Sequence, residues 1–134
     1  EKYALTVGGA YINRETLDDF FFIKDNHLKK NSDIKECIHK LKQFNTNKKI
    51  TVEVDNIRQL KEIIDQKVEV VLLDNMTPGQ VKNCLKLVNG RFECEASGKI
   101  NLKNLLSYAK TKVNRISIGQ LTHSINNVDF GLDI

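Results

Sequence analysis

The stretch VVLLDNM, Val70 to Met76, decides how the chain is read. Four consecutive apolar residues, Val70 to Leu73, have the length and character of a strand buried on both faces. Thr77-Pro78 then opens a helix, because a threonine oxygen accepts from amides at a helix start and proline is preorganised for the first helical position. Asp74 and Asn75 lie between strand and helix. A carboxylate there is either a helix-approach residue, the commoner use of Asp considered alone, or part of a site.

Outward from this stretch the same unit recurs. Phe20 to Ile23, Ile50 to Val54, Val68 to Leu73, Phe92 to Ala96 and Arg115 to Ile118 read as strands, and Val128 to Ile134 is a candidate for a last one. Between them lie helical faces: Ile34, Cys37, Ile38, Leu41 and Phe44 after a Ser32-Asp33 cap; Ile57, Leu60, Ile63 and Ile64; Val81, Leu85 and Val88; and Leu102, Leu105, Leu106 and Ala109. Strands apolar on both faces and joined by single helices imply parallel pairing through βα crossovers. The expected fold is α/β: a partial, open TIM-like barrel of parallel strands with helical crossovers, or an open parallel sheet. In either, ligands bind at the carboxyl ends of the strands.

The residues at those ends are Lys24 with Asn26 and His27, Glu53 and Asp55, Asp74 and Asn75, Ser97 and Gly98, and Ser117 and Gly119. Glu53 lies between Val52 and Val54 and so points to the opposite face from them. That is either an ordinary outward position in a half-exposed sheet or an inward acid, which needs a partner or ligand; Lys24 is a candidate partner. The small-residue turns at Gly98 and Gly119 resemble phosphate cradles, because backbone amides approach oxygen closely where no side chain intervenes. Ser97 adds a hydroxyl donor.

The bulk composition narrows the classes. The chain has 134 residues, 40% hydrophobic and 28% charged, which fits one globular domain, residues 1–134. Its net charge of +4 comes from dispersed lysines, read as solvated helix faces or as attraction for a small anion. No basic stripe is interleaved with aromatics, so nucleic acid is not expected as a partner. No apolar run reaches the roughly 18 residues that a membrane span needs. Cys37, Cys84 and Cys94 are dispersed, which argues against a disulfide framework and a zinc site and fits a reducing cytoplasm. The chain begins with Glu1, not Met, and reads as a piece of something longer.

Taken in order, EKYALTVGGAYINR, FFIKDNH, TVEVDN, VLLDNM, EASGKI and ISIGQLTHS resemble the motifs of the quinolinate phosphoribosyltransferase family, also called nicotinate-nucleotide pyrophosphorylase (carboxylating). The resemblance covers essentially the whole chain. It implies an N-terminal α/β sandwich followed by an incomplete α/β barrel, working as a dimer with shared sites. It also implies synthesis of nicotinate mononucleotide, carbon dioxide and pyrophosphate from quinolinate and phosphoribosyl pyrophosphate, with Mg²⁺. This chain looks like most of the barrel, without the sandwich domain and the early barrel segment with its Arg-Lys-Thr motif.

By the same resemblance Lys24, Glu53 and Asp74 are the catalytic residues, and Glu53 and Asp74 hold the metal. Arg14 grips a quinolinate carboxylate, Ser97, Gly98 and Gly119 form the 5′-phosphate loops, and His123 sits beside them, unless it is merely a helix-start residue. Asn13 is a substrate-facing position where the family has histidine. Ile12 and Lys99 also depart from the pattern, Lys99 replacing the second glycine of Ser-Gly-Gly, and Lys67-Val68-Glu69 stands where Gly-Ala-Asp is usual. Two other readings remain: a non-catalytic remnant that binds phosphate ligands at most, and a molybdenum-transport-associated homologue of the same superfamily.

Overall fold

Val70 to Asp74 is the central strand of a five-stranded parallel sheet. A computed structural model describes residues 2–28, 33–44, 47–124, 128–129 and 131–132. Along these run α1 (Lys2–Val7), β1 (Phe21–Ile23), α2 (Asp25–Leu28), α3 (Ile34–Phe44), β2 (Ile50–Val54), α4 (Ile57–Ile63), β3 (Val70–Asp74), α5 (Pro78–Val88), β4 (Glu93–Ser97), α6 (Leu105–Ala109), β5 (Arg115–Ile116) and α7 (Gln120–His123). The strands lie in sequence order, β1-β2-β3-β4-β5, and every neighbouring pair is parallel.

The register separates two faces, because parallel partners point the same way. Ile50, Val52, Val54, Val71, Leu73, Cys94 and Ala96 share one face. They join Ile34 and Ile38 of α3, Leu60 and Ile63 of α4, Val81, Cys84 and Val88 of α5, and Tyr108 of α6 in one buried core. Sequential strand order with these helices on one face is the arrangement of a barrel wall. A doubly wound sheet instead reverses its strand order and carries helices on both faces. The expected open, partial TIM-like barrel is what forms.

The other face carries Thr51, Glu53, Val70, Leu72, Asp74, Glu93, Glu95 and Ser97. The expectation of strands apolar on both faces therefore holds for β3, whose first four residues are all buried, and for the short, half-buried β1. β2 and β4 alternate, because their second face lines the concave side of the wall, where polar groups are retained.

Local chemistry sets the boundaries. Asn56 caps α4, its side-chain oxygen accepting from Arg58 N and Gln59 N, each at 3.0 Å. Thr77 and Gln80 form a reciprocal capping box at the start of α5, with Pro78 in the first turn, and the helix ends at left-handed Asn89. Asp33 accepts from Lys35 N at 3.0 Å, matching half of the expected cap; Ser32 lies outside the described residues. Tyr108 Oη donates to Met76 O at 3.0 Å and ties α6 to the end of the central stretch.

Some expected core positions are exposed. Phe44 is 83% exposed, with its ring edge-on to Phe21. Leu102 and Leu106 are 74% and 65% exposed. Residues 102–104 form a turn, so α6 begins only at Leu105, and the buried side chain of that helix is Tyr108. The fifth strand is two residues long. Of the candidate last strand at 128–134, residues 128, 129, 131 and 132 are not strand, and the others lie outside the described residues.

Cys84 Sγ donates to Met76 Sδ at 3.6 Å, and burial, with Cys84 nearby, pushes the Cys94 thiol up to about 12. Cys37 is half-buried, so it is expected to alkylate in the folded protein, whereas Cys84 and Cys94 react only on unfolding; thiol counting by mass checks this. A second expectation concerns the two faces. Leu73→Ala empties the helix-side core and should cost about 4 kcal/mol, while Leu72→Ala, buried on the concave side but outside that core, should cost about 2 kcal/mol, both read by urea denaturation.

Candidate functional site at the carboxyl ends of the strands

Parallel pairing brings the carboxyl end of every strand to one rim. Glu53 lies level with Leu72, and Asp74 with Ser97. At the strand ends, Glu53, Asp55 and Asp74 bring one carboxylate oxygen each to within 4.8 Å of one another. Asp55 is held by its own amide, which donates to Gln59 Oε1 at 2.6 Å. Glu53 and Asp74 are the expected pair. Asp55 was legible as a strand-end acid but not as their companion, since its position depends on how the chain turns into α4. Three carboxylates and no softer donor suit a hard divalent cation such as Mg²⁺.

Lys24 is half-buried at the end of β1, its Nζ 4.8 Å from the centre of the Phe22 ring. Its backbone amide donates to His27 Nδ1 at 2.9 Å, so His27 closes the local turn. Asn13 is exposed and Arg14 half-buried in the irregular segment before β1. The turn just after Arg14 is held by Asp19, which accepts from Glu15 N at 2.6 Å and Thr16 N at 3.2 Å. The Thr16 hydroxyl, followed by these amides, holds the Asp19 carboxyl below the usual carboxylate range. Neither Asn13 nor Arg14 belongs to the acid trio or lines the cleft described next.

Beyond β4 and β5 the rim opens into a cleft of about 490 Å³ whose lining includes Ser97, Gly98, Lys99, Ser117, Gly119 and His123. The expected phosphate-loop residues are thus brought together. Among the described residues the lining contains Lys99 and His123 but no carboxylate, which favours an anion. His123 is the last residue of α7, not a helix-start residue. Its ring packs close to Gly119: a Cβ there would lie 3.1 Å from His123 Nε2, an approach the exposed ring relieves by a small shift, and the φ of −62° is ordinary. Gly98, by contrast, has φ +86°, and a Cβ would lie 2.6 Å from the Asn75 backbone nitrogen. Lys99 follows it at φ +54°, a left-handed conformation that costs an L-residue about 1 kcal/mol or more.

One buried acid went unrecognised in the sequence. Glu95 is 5% exposed and accepts from Ser117 Oγ, so the carboxylate of β4 fixes a hydroxyl on the cleft wall. The alternation Glu93, Glu95, Ser97 was its signal. A larger cleft of about 520 Å³ lies at the amino ends, near Glu69, Arg91 and Phe92, opposite the end where parallel α/β folds bind ligands. No helix among the described residues is long and apolar enough to cross a membrane.

The two adjacent left-handed residues give opposite expectations. Gly98→Ala should destabilise by about 2 kcal/mol, through strain and the clash with Asn75. Lys99→Gly should stabilise by about 1 kcal/mol. Thermal and urea unfolding of both variants checks the signs.

Comparison with known proteins gives a consistent picture. Residues 1–133 match the family described as "Quinolinate phosphoribosyl transferase, C-terminal domain". The chain is 40% identical to a probable nicotinate-nucleotide pyrophosphorylase [carboxylating] of Methanocaldococcus jannaschii, over 100% of this chain and 50% of that protein. With its Bacillus subtilis counterpart it shares 38% identity, over 100% and 47% respectively. A crystal structure of nicotinate-nucleotide pyrophosphorylase from Ehrlichia chaffeensis superposes with a TM-score of 0.93 at 39% identity, covering 98% of this chain and 48% of that one. The chain thus spans about half the length of the curated relatives it matches. With sequence match, fold and rim geometry in agreement, this chain belongs to the quinolinate phosphoribosyl transferase C-terminal domain family.

Proposed function

We propose that this chain is the barrel portion of a phosphoribosyltransferase of NAD biosynthesis. Joined to the rest of its enzyme, it converts quinolinate and phosphoribosyl pyrophosphate to nicotinate mononucleotide, carbon dioxide and pyrophosphate. The observation that carries this reading is the pairing, on one rim, of an acid trio with a cleft whose described lining bears Lys99 and His123 and no carboxylate. A phosphorylated ribose needs both. Its 5′-phosphate requires amides, hydroxyls and cations, and its anomeric carbon gains positive charge as pyrophosphate leaves.

In this reading Ser97, Gly98, Gly119 and His123 seat the 5′-phosphate. The carboxylates of Glu53 and Asp74 face the ribose, hold its hydroxyls and stabilise the positive charge that develops on the sugar. Glu53 and Asp74 would hold Mg²⁺, which would supply positive charge to the departing pyrophosphate. Lys24 supplies a cation for pyrophosphate or a substrate carboxylate. Arg14 offers a planar fork to a quinolinate carboxylate, with Asn13 beside it as a neutral hydrogen-bonding group.

The exposed apolar side chains of the first 17 residues, Tyr3, Val7, Tyr11 and Leu17, fit a surface covered in a homodimer of the full-length enzyme. Three free cysteines fit the cytoplasm. A second reading, a remnant that binds phosphate without turnover, draws on Lys99 in its left-handed position and on neutral Asn13.

In the full-length protein, pyrophosphate release should require both substrates and a divalent cation, stop on chelation and return with Mg²⁺. Asp74→Asn should lower kcat by about 100-fold while leaving inorganic phosphate binding unchanged by calorimetry. A wild-type protein that binds phosphate yet releases no pyrophosphate would favour the remnant.

A further inference from the structure

Asn75 stands between the two halves of the rim and lines neither. Its φ of +51° is left-handed, a region that asparagine tolerates better than most residues. In that conformation it makes three contacts at once. Its side-chain Nδ2 donates to Asp74 Oδ2 at 2.5 Å. Its backbone N donates to Ser97 O at 3.0 Å, extending the β3–β4 ladder past Asp74. Its Oδ1 and Cγ fill the space where a side chain at Gly98 would start, so that a Cβ there would lie 2.5 Å and 2.7 Å from them.

We infer that Asn75 is a positioning residue, bracing the Asp74 carboxylate against the Gly98 turn and so fixing the acid trio relative to the phosphate cleft. The inference rests on the phosphoribosyl-transfer reading above and goes beyond its residue roles. A neutral amide donor fits the task. It restrains the rotation of the carboxylate through one oxygen while leaving the negative charge of Asp74 undiminished. Glycine would accept the backbone conformation but lacks the amide. Aspartate would keep the shape but lose the donor and add a second negative charge beside the first. An ordinary turn residue would need only the φ value, and there the two explanations part.

The test uses the full-length enzyme and pyrophosphate release. Asn75→Gly should keep or raise Tm, because glycine relieves the left-handed strain, yet lower kcat about tenfold or more through misplacement of Asp74. KM for phosphoribosyl pyrophosphate should move less than about threefold, since the cleft residues remain. Asn75→Asp should lose kcat similarly. In an Asp74→Asn background, Asn75→Gly should cost less than about twofold, because its effect passes through the carboxylate already removed. Wild-type kcat in either single variant, or an equal loss in both backgrounds, would overturn the inference while leaving the proposed reaction standing. A wild-type enzyme that releases no pyrophosphate would bring down both.

Discussion

Parallel pairing of β3 between β2 and β4 is the constraint on which the rest depends. It fixes Glu53 level with Leu72 and Asp74 level with Ser97, and it sends every strand end to the same rim. Antiparallel pairing of the same segments would put the carboxyl ends of neighbouring strands at opposite edges. The acid trio and the cleft beyond β4 and β5 would then not meet. Parallel strands need crossovers, and α4 and α5 supply them for β2, β3 and β4 while burying Val52, Leu73 and Ala96 beneath them.

The same pairing divides labour between the faces. The helix side is held by continuous apolar burial, with Leu73, Val71, Leu60 and Ile63 fully excluded from water. The concave side carries the charges. Glu95 is buried there at the cost of desolvation, offset by the Ser117 hydroxyl, while Arg115 pairs with Glu93 one step earlier on the same two strands. That ion pair is half-exposed at both ends, so it adds little stability and serves register more than strength. The chemistry thus sits on a face the core does not use, and polar substitution in the site is separable from the packing that holds the wall together.

The rim itself is built on left-handed backbone, at no steric cost in Gly98 and under strain in Asn75 and Lys99. Asn75, Gly98 and Lys99 all have positive φ and all lie where β3 and β4 leave the sheet. Such conformations persist when surrounding contacts over-determine them. Here those contacts are the Asn75 hydrogen bonds and the hydrogen bond from Asn104 Nδ2 to Lys99 O at 3.1 Å. Turns of this kind hold backbone amides and side chains at fixed positions, the preorganisation that a binding site draws on.

Much was legible in the sequence alone. The apolar run at Val70 to Leu73, the Thr77-Pro78 start and the recurring strand–helix unit determined the parallel α/β class, because hydrophobic period and capping chemistry are local properties. The rim acids and glycine turns followed from strand ends, since a parallel fold assigns those ends one address. Only the tertiary structure decided the remainder. That Asp55 joins Glu53 and Asp74, that Glu95 is buried against Ser117, and that Tyr108 and not Leu106 faces the core all depend on contacts between separate segments. Periodicity states which way a side chain points within its own element. What it meets is set by register, twist and the path of the loops, and these emerge only when the elements pack.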